Sequence, residues 1–142
     1  VVIGKRAHKV SQAAAMDHVF GYTNFIDGSA RGLPPAGNVF FQMKSRDTFA
    51  PIGPFLVTAD EIADPHKLPV KLWVNGEVKQ EGSTDEMTWD MHYLVADIAR
   101  TITLVPGDVL LSGTPANSRT VPHRLRACST WALKNTTDSA IA

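Results

Sequence analysis

The stretch VKLWVNGEVKQ, residues 70–80, constrains the fold more than any other part of the chain. Two runs of alternating apolar and polar residues flank the dipeptide Asn75-Gly76. A two-residue type I′ turn needs positive φ at both central positions, and Asn followed by Gly is the pair that adopts these angles most readily. The stretch therefore predicts an antiparallel β-hairpin.

Further short β patterns accompany the hairpin. The β-branched opening VVIG and the partly alternating GYTNFID predict strands, as do the apolar runs FFQMK and VLLSG. VPGD, residues 105–108, predicts a turn between the last helical pattern and VLLSG. Because VVIG is strand-like from its first residue, the chain is expected to begin inside a sheet.

Two segments have helical patterns with polar caps. Ser11 is predicted to cap a short helix, QAAAMDHVF, that ends at Gly21, and Thr84 is predicted to cap the helix DEMTWDMHYLVADIAR. In the second helix, helical spacing places these apolar residues in one inward stripe: Met87, Met91, Leu94, Val95 and Ile98. Many short strands with two helices predict a β-rich α+β domain with a closed or rolled sheet.

Composition and charge exclude several classes of function. With 142 residues, 44% of them hydrophobic and 20% charged, the chain is long enough for one soluble domain with a single core. The formal net charge is zero and the basic residues are scattered, which argues against nucleic acid as a partner. The apolar runs are too short to cross a membrane. The single cysteine, Cys128, cannot form an internal disulfide, so a cytoplasmic location is predicted.

The common catalytic and nucleotide-binding motifs are absent from the sequence. It contains no GxSxG nucleophile elbow, no GxxxxGKS/T loop and no GxGxxG loop. Cys128 has no neighbouring base in the sequence. The five histidines lack a metal-ligand spacing such as HxxxH and are interpreted as surface or helix-face residues: His8, His18, His66, His92 and His123. No generic motif therefore identifies a reaction.

A carboxylate, two cations and a threonine form the remaining candidate constellation: Asp27, Arg31, Lys44 and Thr114. A carboxylate at a strand end suits Mg²⁺, which prefers oxygen ligands and keeps positions open for water and substrate. An arginine and a lysine nearby would neutralise a substrate carboxylate or a developing enolate. The alternative is that Asp27 closes a turn, that the two cations lie on the surface and that Thr114 belongs to a loop.

Four motifs, in the same order along the chain, resemble the fumarylacetoacetate hydrolase family in its bacterial form: GYTNFIDGSARG, KSRDTFAPIGP, LWVNGEVKQ and TLVPGDVLLSGTP. That group includes the hydroxyheptadienedioate isomerases and decarboxylases of aromatic catabolism. The resemblance runs from Val1 to about Pro115. It implies a mixed β-roll with flanking helices, a single catalytic domain over residues 1–142 and a homodimer. It also implies hydrolysis, decarboxylation or isomerisation of 2-oxo or 1,3-dioxo acids chelated to Mg²⁺, Mn²⁺ or Ca²⁺.

The resemblance assigns a role to each candidate residue by its position in these motifs. Asp27 corresponds to a metal ligand of the family, and Thr48 to a threonine near the metal. Lys44 corresponds to the lysine that helps to stabilise the enolate. Arg31 corresponds to the arginine that meets the substrate or orders the metal site, and Thr114 to the threonine that binds the substrate carboxylate. The implied partner is a small oxo acid.

The chain departs from the family pattern at both ends. The family has a pair of glutamate metal ligands just before the strand that corresponds to VVIGK, and a His/Glu pair on an upstream lid. This sequence contains neither, which implies weak metal binding and leaves an alternative: a catalytically inactive protein that acts as a binding or dimerisation module. Residues 116–142 also differ, and only Ala132–Asn135 resembles the usual ending. Ile26 replaces a common Asn, and Leu33-Pro34-Pro35 lies where hydrolytic members often carry Gln.

Overall fold

A three-stranded antiparallel sheet is formed by the first half of the chain, in a computed structural model that describes residues 1–30 and 40–114. Its strands are β1 (Val2–Ile3), β2 (Val19–Phe25) and β3 (Ile52–Thr58), in the order β1-β2-β3. The strands predicted for VVIG and GYTNFID are confirmed. Strand β2, the central strand, ends two residues before Asp27, so the sheet positions that carboxylate just beyond the end of β2.

The predicted hairpin is the second sheet. Strands β4 (Pro69–Val74) and β5 (Glu77–Ser83) pair antiparallel on either side of Asn75-Gly76. Asn75 has a φ of 52° and Gly76 a φ of 80°, the left-handed angles that a type I′ turn needs. The local turn chemistry therefore sets this hairpin.

Gly76 offers a direct test of this explanation. A Cβ at position 76 would meet nothing within 4 Å, so the cost of Gly76→Ala comes from the left-handed backbone alone. We expect the free energy of unfolding to fall by about 1 kcal/mol, measured by urea denaturation. Asn75→Gly is the control, because glycine keeps the turn angles accessible. A Gly76→Ala protein as stable as the wild type would contradict the explanation.

The first helix is shorter than predicted. Helix α1 covers Gln12–Ala15, and the Ser11 hydroxyl accepts a hydrogen bond from the Ala14 N–H, which confirms the predicted cap. A single 3₁₀ turn follows, and Val19 already belongs to β2. Gly21 does not end the helix: it pairs with Thr58 inside the sheet. The β-branched Val19 and the sheet pairing override the helical pattern at this end.

Two predicted strands are wrong. FFQMK forms helix α2 (Phe40–Lys44), because a short apolar run has no period that separates a helical turn from a strand. VLLSG forms no ladder strand within the described residues: Val109 makes one isolated bridge to Val2. The preceding turn is confirmed, since the Asp108 N–H donates to the Val105 carbonyl and the Asp108 carboxylate accepts from the Val105 N–H.

The long helix, α3, covers Met91–Thr101 and begins later than predicted. Asp90 is its N-cap, because its Oδ1 accepts from the Tyr93 N–H at 2.7 Å. The Thr84 hydroxyl instead bridges the Leu68 N–H and the Pro65 carbonyl, so it fastens a loop to the hairpin. Of the predicted inward stripe, Met91 and Val95 are buried, whereas Met87 precedes the helix.

The main core lies between α3, α1 and the β1 edge. Its fully buried members are Ile3, Ala7, Ala15, Val95, Ala99 and Leu104. The small alanines let α1 and α3 approach closely, and the aliphatic side chains fill the space against β1. The predicted α+β class is confirmed. Within the described residues the strands form two separate antiparallel sheets and no closed barrel. In the same residues, no helix has both the length and the apolar character needed to span a bilayer.

Candidate functional site

The candidate site is an ion pair between a loop that follows β2 and the last residue of α2. The Lys44 ammonium donates a short hydrogen bond to Oδ2 of Asp27. The same ammonium donates to the Ser29 hydroxyl at 2.6 Å. The Asp27 side chain is 54% exposed and that of Lys44 is 30% exposed. The structure therefore joins two of the predicted residues in a pair that a ligand can reach from solvent.

Main-chain hydrogen bonds hold this loop in place. The Ile26 N–H donates to the Pro51 carbonyl at 3.1 Å, and the Gly28 N–H donates to the Phe49 carbonyl at 2.9 Å. The Ala30 N–H donates to the carbonyl of Met43, a buried residue of α2, at 3.0 Å. The Asp27 carboxylate is thus fixed between two anchored main-chain positions, and α2 is tied to the same loop.

Sequence reasoning missed two residues of this arrangement. Ser29 shares the Lys44 ammonium, and Gly28 packs against Phe49 so closely that no side chain fits between them. Both residues belong to the motif DGSAR, so the Gly-Ser dipeptide after the aspartate is the signal that could have identified them. A small residue followed by a hydroxyl is suited to a loop that presents a carboxylate.

The other predicted residues lie around this pair or elsewhere. Thr48, with a φ of 70°, precedes Phe49, whose carbonyl anchors the Asp27 loop. The Thr114 hydroxyl accepts a hydrogen bond from Nε2 of Gln80 at 2.7 Å. Within the residues that the structure describes, 1–30 and 40–114, no hydrogen bond or ion pair joins Thr114 to Asp27 or Lys44. Arg31, the prolines at 34 and 35, Cys128 and the tail 116–142 lie outside the described residues.

Two histidines have structural contacts near the start of α3. The rings of His66 and His92 stack with their centroids 5.6 Å apart, and His66 Nε2 accepts from the Met91 N–H at 3.0 Å. Next to them, the Lys67 ammonium and the His66 main-chain N–H hold the pKa of the Asp64 carboxyl below its usual value. These contacts place His66 on a loop and His92 in the first turn of α3.

The donor set around Asp27 fits a divalent cation in part. Asp27 offers one hard, exposed carboxylate, the ligand type that Mg²⁺ and Mn²⁺ accept. In the part of the chain that the structure describes, no group of three or more His, Cys, Asp or Glu side chains could hold a metal ion. The described residues therefore supply one carboxylate ligand and a neighbouring ammonium, and further ligands have to complete a cation site.

The fold and this pair together define an α+β domain with an exposed carboxylate–ammonium pair just after a strand. The comparison with known families makes the class specific. The family model described as "Fumarylacetoacetate (FAA) hydrolase C-terminal" matches residues 1–137. The chain belongs to the fumarylacetoacetate hydrolase family, as the sequence motifs predicted.

Three relatives illustrate the range of the family. The chain is 42% identical over 116 residues to the 4-hydroxyphenylacetate degradation bifunctional isomerase/decarboxylase of Salmonella dublin, covering 81% of this chain and 27% of that protein. It is 44% identical over 117 residues to the human mitochondrial oxaloacetate tautomerase FAHD2A, covering 81% and 37%. The solved maleylpyruvate hydrolase from Sphingobium sp. SYK-6 in complex with manganese(II) and pyruvate superposes with a TM-score of 0.73 at 38% identity, covering 80% and 40%. The chain thus spans well under half the length of these relatives.

Proposed function

We propose that this chain carries part of the active site of a divalent-metal-dependent enzyme that hydrolyses, decarboxylates or isomerises 2-oxo or 1,3-dioxo acids. The observation that carries the proposal is the exposed Asp27–Lys44 pair in a member of this family. The carboxylate can bind a cation, and the ammonium beside it can bind an anion. This combination suits an anionic substrate that is bound to a metal.

The substrate class follows from the chemistry that the relatives share. Oxaloacetate and maleylpyruvate both carry a carbonyl next to a carboxylate, and pyruvate, bound with manganese in the solved relative, is the smallest such acid. A 2-oxo carboxylate chelates a cation through two oxygens. We therefore propose a 2-oxo acid, with a second carboxylate in larger substrates, as the ligand of this site.

Each residue has a distinct task in this proposal. Asp27 would contribute one oxygen ligand to hold Mg²⁺ or Mn²⁺. The cation would polarise the 2-oxo carbonyl, so that the carbonyl oxygen could carry the charge left by a lost proton or a broken C–C bond. Lys44, fixed by Asp27 and Ser29, places positive charge where the enolate oxygen develops. Thr48 supports the loop, and Arg31 and Thr114 bind the substrate carboxylate.

The wider architecture is part of the same proposal. Residues 1–142 belong to one catalytic domain in which the described antiparallel sheets are sections of a rolled mixed sheet. The cation is Mg²⁺ in the cell, and two copies associate as a homodimer. The family model over residues 1–137 supports the single domain, and the manganese in the solved relative supports a divalent cation.

Calorimetric titration with Mn²⁺ tests the assignment of Asp27. We expect the wild-type chain to bind Mn²⁺ more tightly when oxalate, a mimic of the bound enolate, is present. Asp27→Asn should weaken that binding about tenfold or more, since removing one carboxylate ligand removes a full charge from the site. Asp17→Asn, an exposed aspartate on the 3₁₀ turn after α1, is the matched control and should bind as the wild type does.

Two outcomes would contradict the proposal. Equal affinities for the wild type and Asp27→Asn would show that the cation binds elsewhere. No binding in either protein, with or without oxalate, would favour the alternative of a catalytically inactive module that binds or dimerises through the same fold.

A further inference from the structure

A buried glutamine in the hairpin is unusual among the side chains of this structure. Gln80 lies in β5 and is 5% exposed, and among the described residues it is the only buried polar or charged side chain. Burial of an amide without hydrogen bonds costs a few kcal/mol, so a buried glutamine is retained where its bonds have a use. The contacts of Gln80 therefore indicate what this residue does.

The amide of Gln80 reaches a candidate substrate-binding residue. Its Nε2 donates to the Thr114 hydroxyl at 2.7 Å, across 34 positions of sequence. Thr114 itself is exposed and follows Gly113, whose φ of 107° turns the chain at this point. A buried donor thus holds an exposed hydroxyl from its inner side.

The neighbours of Gln80 show that its side chain occupies the inner face of the hairpin. Side chains alternate between the two faces of a regular strand, so Glu81 points away from Gln80. Lys79 lies at the register shift between the pairs Trp73–Val78 and Leu72–Gln80. Lys79 pairs with Glu77, and Glu81 pairs with Lys71 at 2.6 Å on the partner strand. The buried Gln80 side chain directs its Nε2 to the 113–114 segment.

The direction of this hydrogen bond determines what Thr114 can offer to a ligand. A threonine hydroxyl has one donor hydrogen and accepts through its lone pairs. Because Gln80 donates into Oγ1, the hydroxyl hydrogen points elsewhere and is available to an acceptor at the surface. Carboxylate oxygens only accept hydrogen bonds, so an anion is the ligand that this orientation favours.

We propose that Gln80 is a positioning residue that holds the Thr114 hydroxyl as a donor toward the carboxylate of the substrate. The inference rests on the proposed function, which assigns an oxo acid to this site, and it adds a residue that touches Thr114 and not the substrate. It explains why a polar side chain occupies an inward position of a strand.

The test is a set of variants whose oxalate affinity is measured by calorimetry at saturating Mn²⁺. In Gln80→Glu the new carboxylate can only accept, so the Thr114 hydrogen turns inward and its lone pairs face the ligand. We expect oxalate affinity to fall about tenfold, the effect of one lost charge-assisted hydrogen bond, with Mn²⁺ affinity unchanged in the absence of oxalate. Gln12→Glu, the same change at the exposed start of α1, is the control and should have no effect.

Two further measurements separate positioning from a structural role. The difference in oxalate affinity between Gln80→Glu and the wild type should become smaller as the pH falls, because a protonated carboxyl can donate a hydrogen bond to Thr114 again. Gln80→Met, which removes the donor without adding charge, should lose affinity by a smaller factor. Adding Gln80→Glu to Thr114→Val should cause no further loss, since the group that Gln80 positions is already gone.

The outcomes distinguish this inference from the proposed function. One outcome is that the wild type binds oxalate and that folded Gln80→Glu and Gln80→Met bind it with the same affinity. That result would overturn the role of Gln80 and leave the proposed function in place. A Gln80→Glu loss that is independent of pH and persists on the Thr114→Val background would also overturn it. No oxalate binding by the wild type would overturn the proposed function, and the inference with it.

Discussion

Replacement of Lys44 by Met is expected to lower kcat/KM for a 2-oxo acid substrate about 100- to 1,000-fold, the range measured when one donor to a developing oxyanion is removed. Methionine fills much of the same volume but carries no charge, so the enolate oxygen loses its neighbouring ammonium. The measurement is the change in the ultraviolet absorbance of the enol of oxaloacetate with Mn²⁺ present.

Lys79 provides a closely matched control for Lys44. Its side chain is 29% exposed against 30% for Lys44, and its ammonium also makes a short ion pair with a single carboxylate, Glu77. Lys79→Met therefore removes the same group from the same kind of environment on the hairpin. Its activity should stay within about twofold of the wild type, because an exposed ion pair contributes little to stability.

The binding of Mn²⁺ alone separates two explanations of a Lys44 effect. If Lys44 acts on the anion, Lys44→Met should bind Mn²⁺ at least as tightly as the wild type. The Asp27 carboxylate remains in this variant, and no ammonium competes with the cation for it. If Lys44 only orients Asp27, Mn²⁺ affinity should fall together with activity. Equal activities in Lys44→Met and Lys79→Met would contradict any catalytic role for Lys44.

Local chemistry was sufficient to predict the hairpin, and it was insufficient for the pairing of Asp27 with Lys44. Asn75-Gly76 specifies its turn within two residues, so no distant contact is needed. Lys44 reaches Asp27 because FFQMK is a helix that packs Met43 inward and ends at the lysine. A short apolar run has no period that separates a strand from a helix, and the tertiary contact made the choice.

The helix that was predicted to start at Thr84 shows the same limit. Thr84 and Asp90 are both capping residues by type, and sequence alone does not rank them. The Thr84 hydroxyl is used by the loop at 65–68, a contact over 16 or more positions, which leaves Asp90 to cap α3. The prediction fails here because the Thr84 side chain forms hydrogen bonds with a distant part of the chain.

The burial of Gln80 had no signal in the alternation of the sequence. Val78 pairs with Trp73 and is 49% exposed, whereas the buried Gln80 pairs with the adjacent Leu72, so a register shift between the two pairs breaks the alternation of β5. A buried amide needs a hydrogen-bond partner. The identity of that partner, Thr114, depends on how the segment after the turn at 105–108 returns to the hairpin, and no local pattern contains that information.

Gly28→Ala is expected to have the largest effect on stability among the substitutions near the site. A Cβ at position 28 would lie 2.5 Å from the Phe49 carbonyl oxygen, 2.9 Å from its Cα and 3.0 Å from its carbonyl carbon. All three are main-chain atoms, which cannot rotate away as a side chain can. The two segments must separate, and the hydrogen bond from the Gly28 N–H to Phe49 is lost with them.

We expect the free energy of unfolding to fall by about 3 kcal/mol in Gly28→Ala, from overpacking together with the lost hydrogen bond. Ala30→Gly is the control on the same loop, and the added freedom of its unfolded chain should cost about 1 kcal/mol or less in urea denaturation. Because the displaced segment carries Asp27 away from Lys44, oxalate-enhanced Mn²⁺ binding should weaken in Gly28→Ala and persist in Ala30→Gly. Wild-type stability and Mn²⁺ affinity in Gly28→Ala would mean that the contact with Phe49 does not fix the position of the carboxylate.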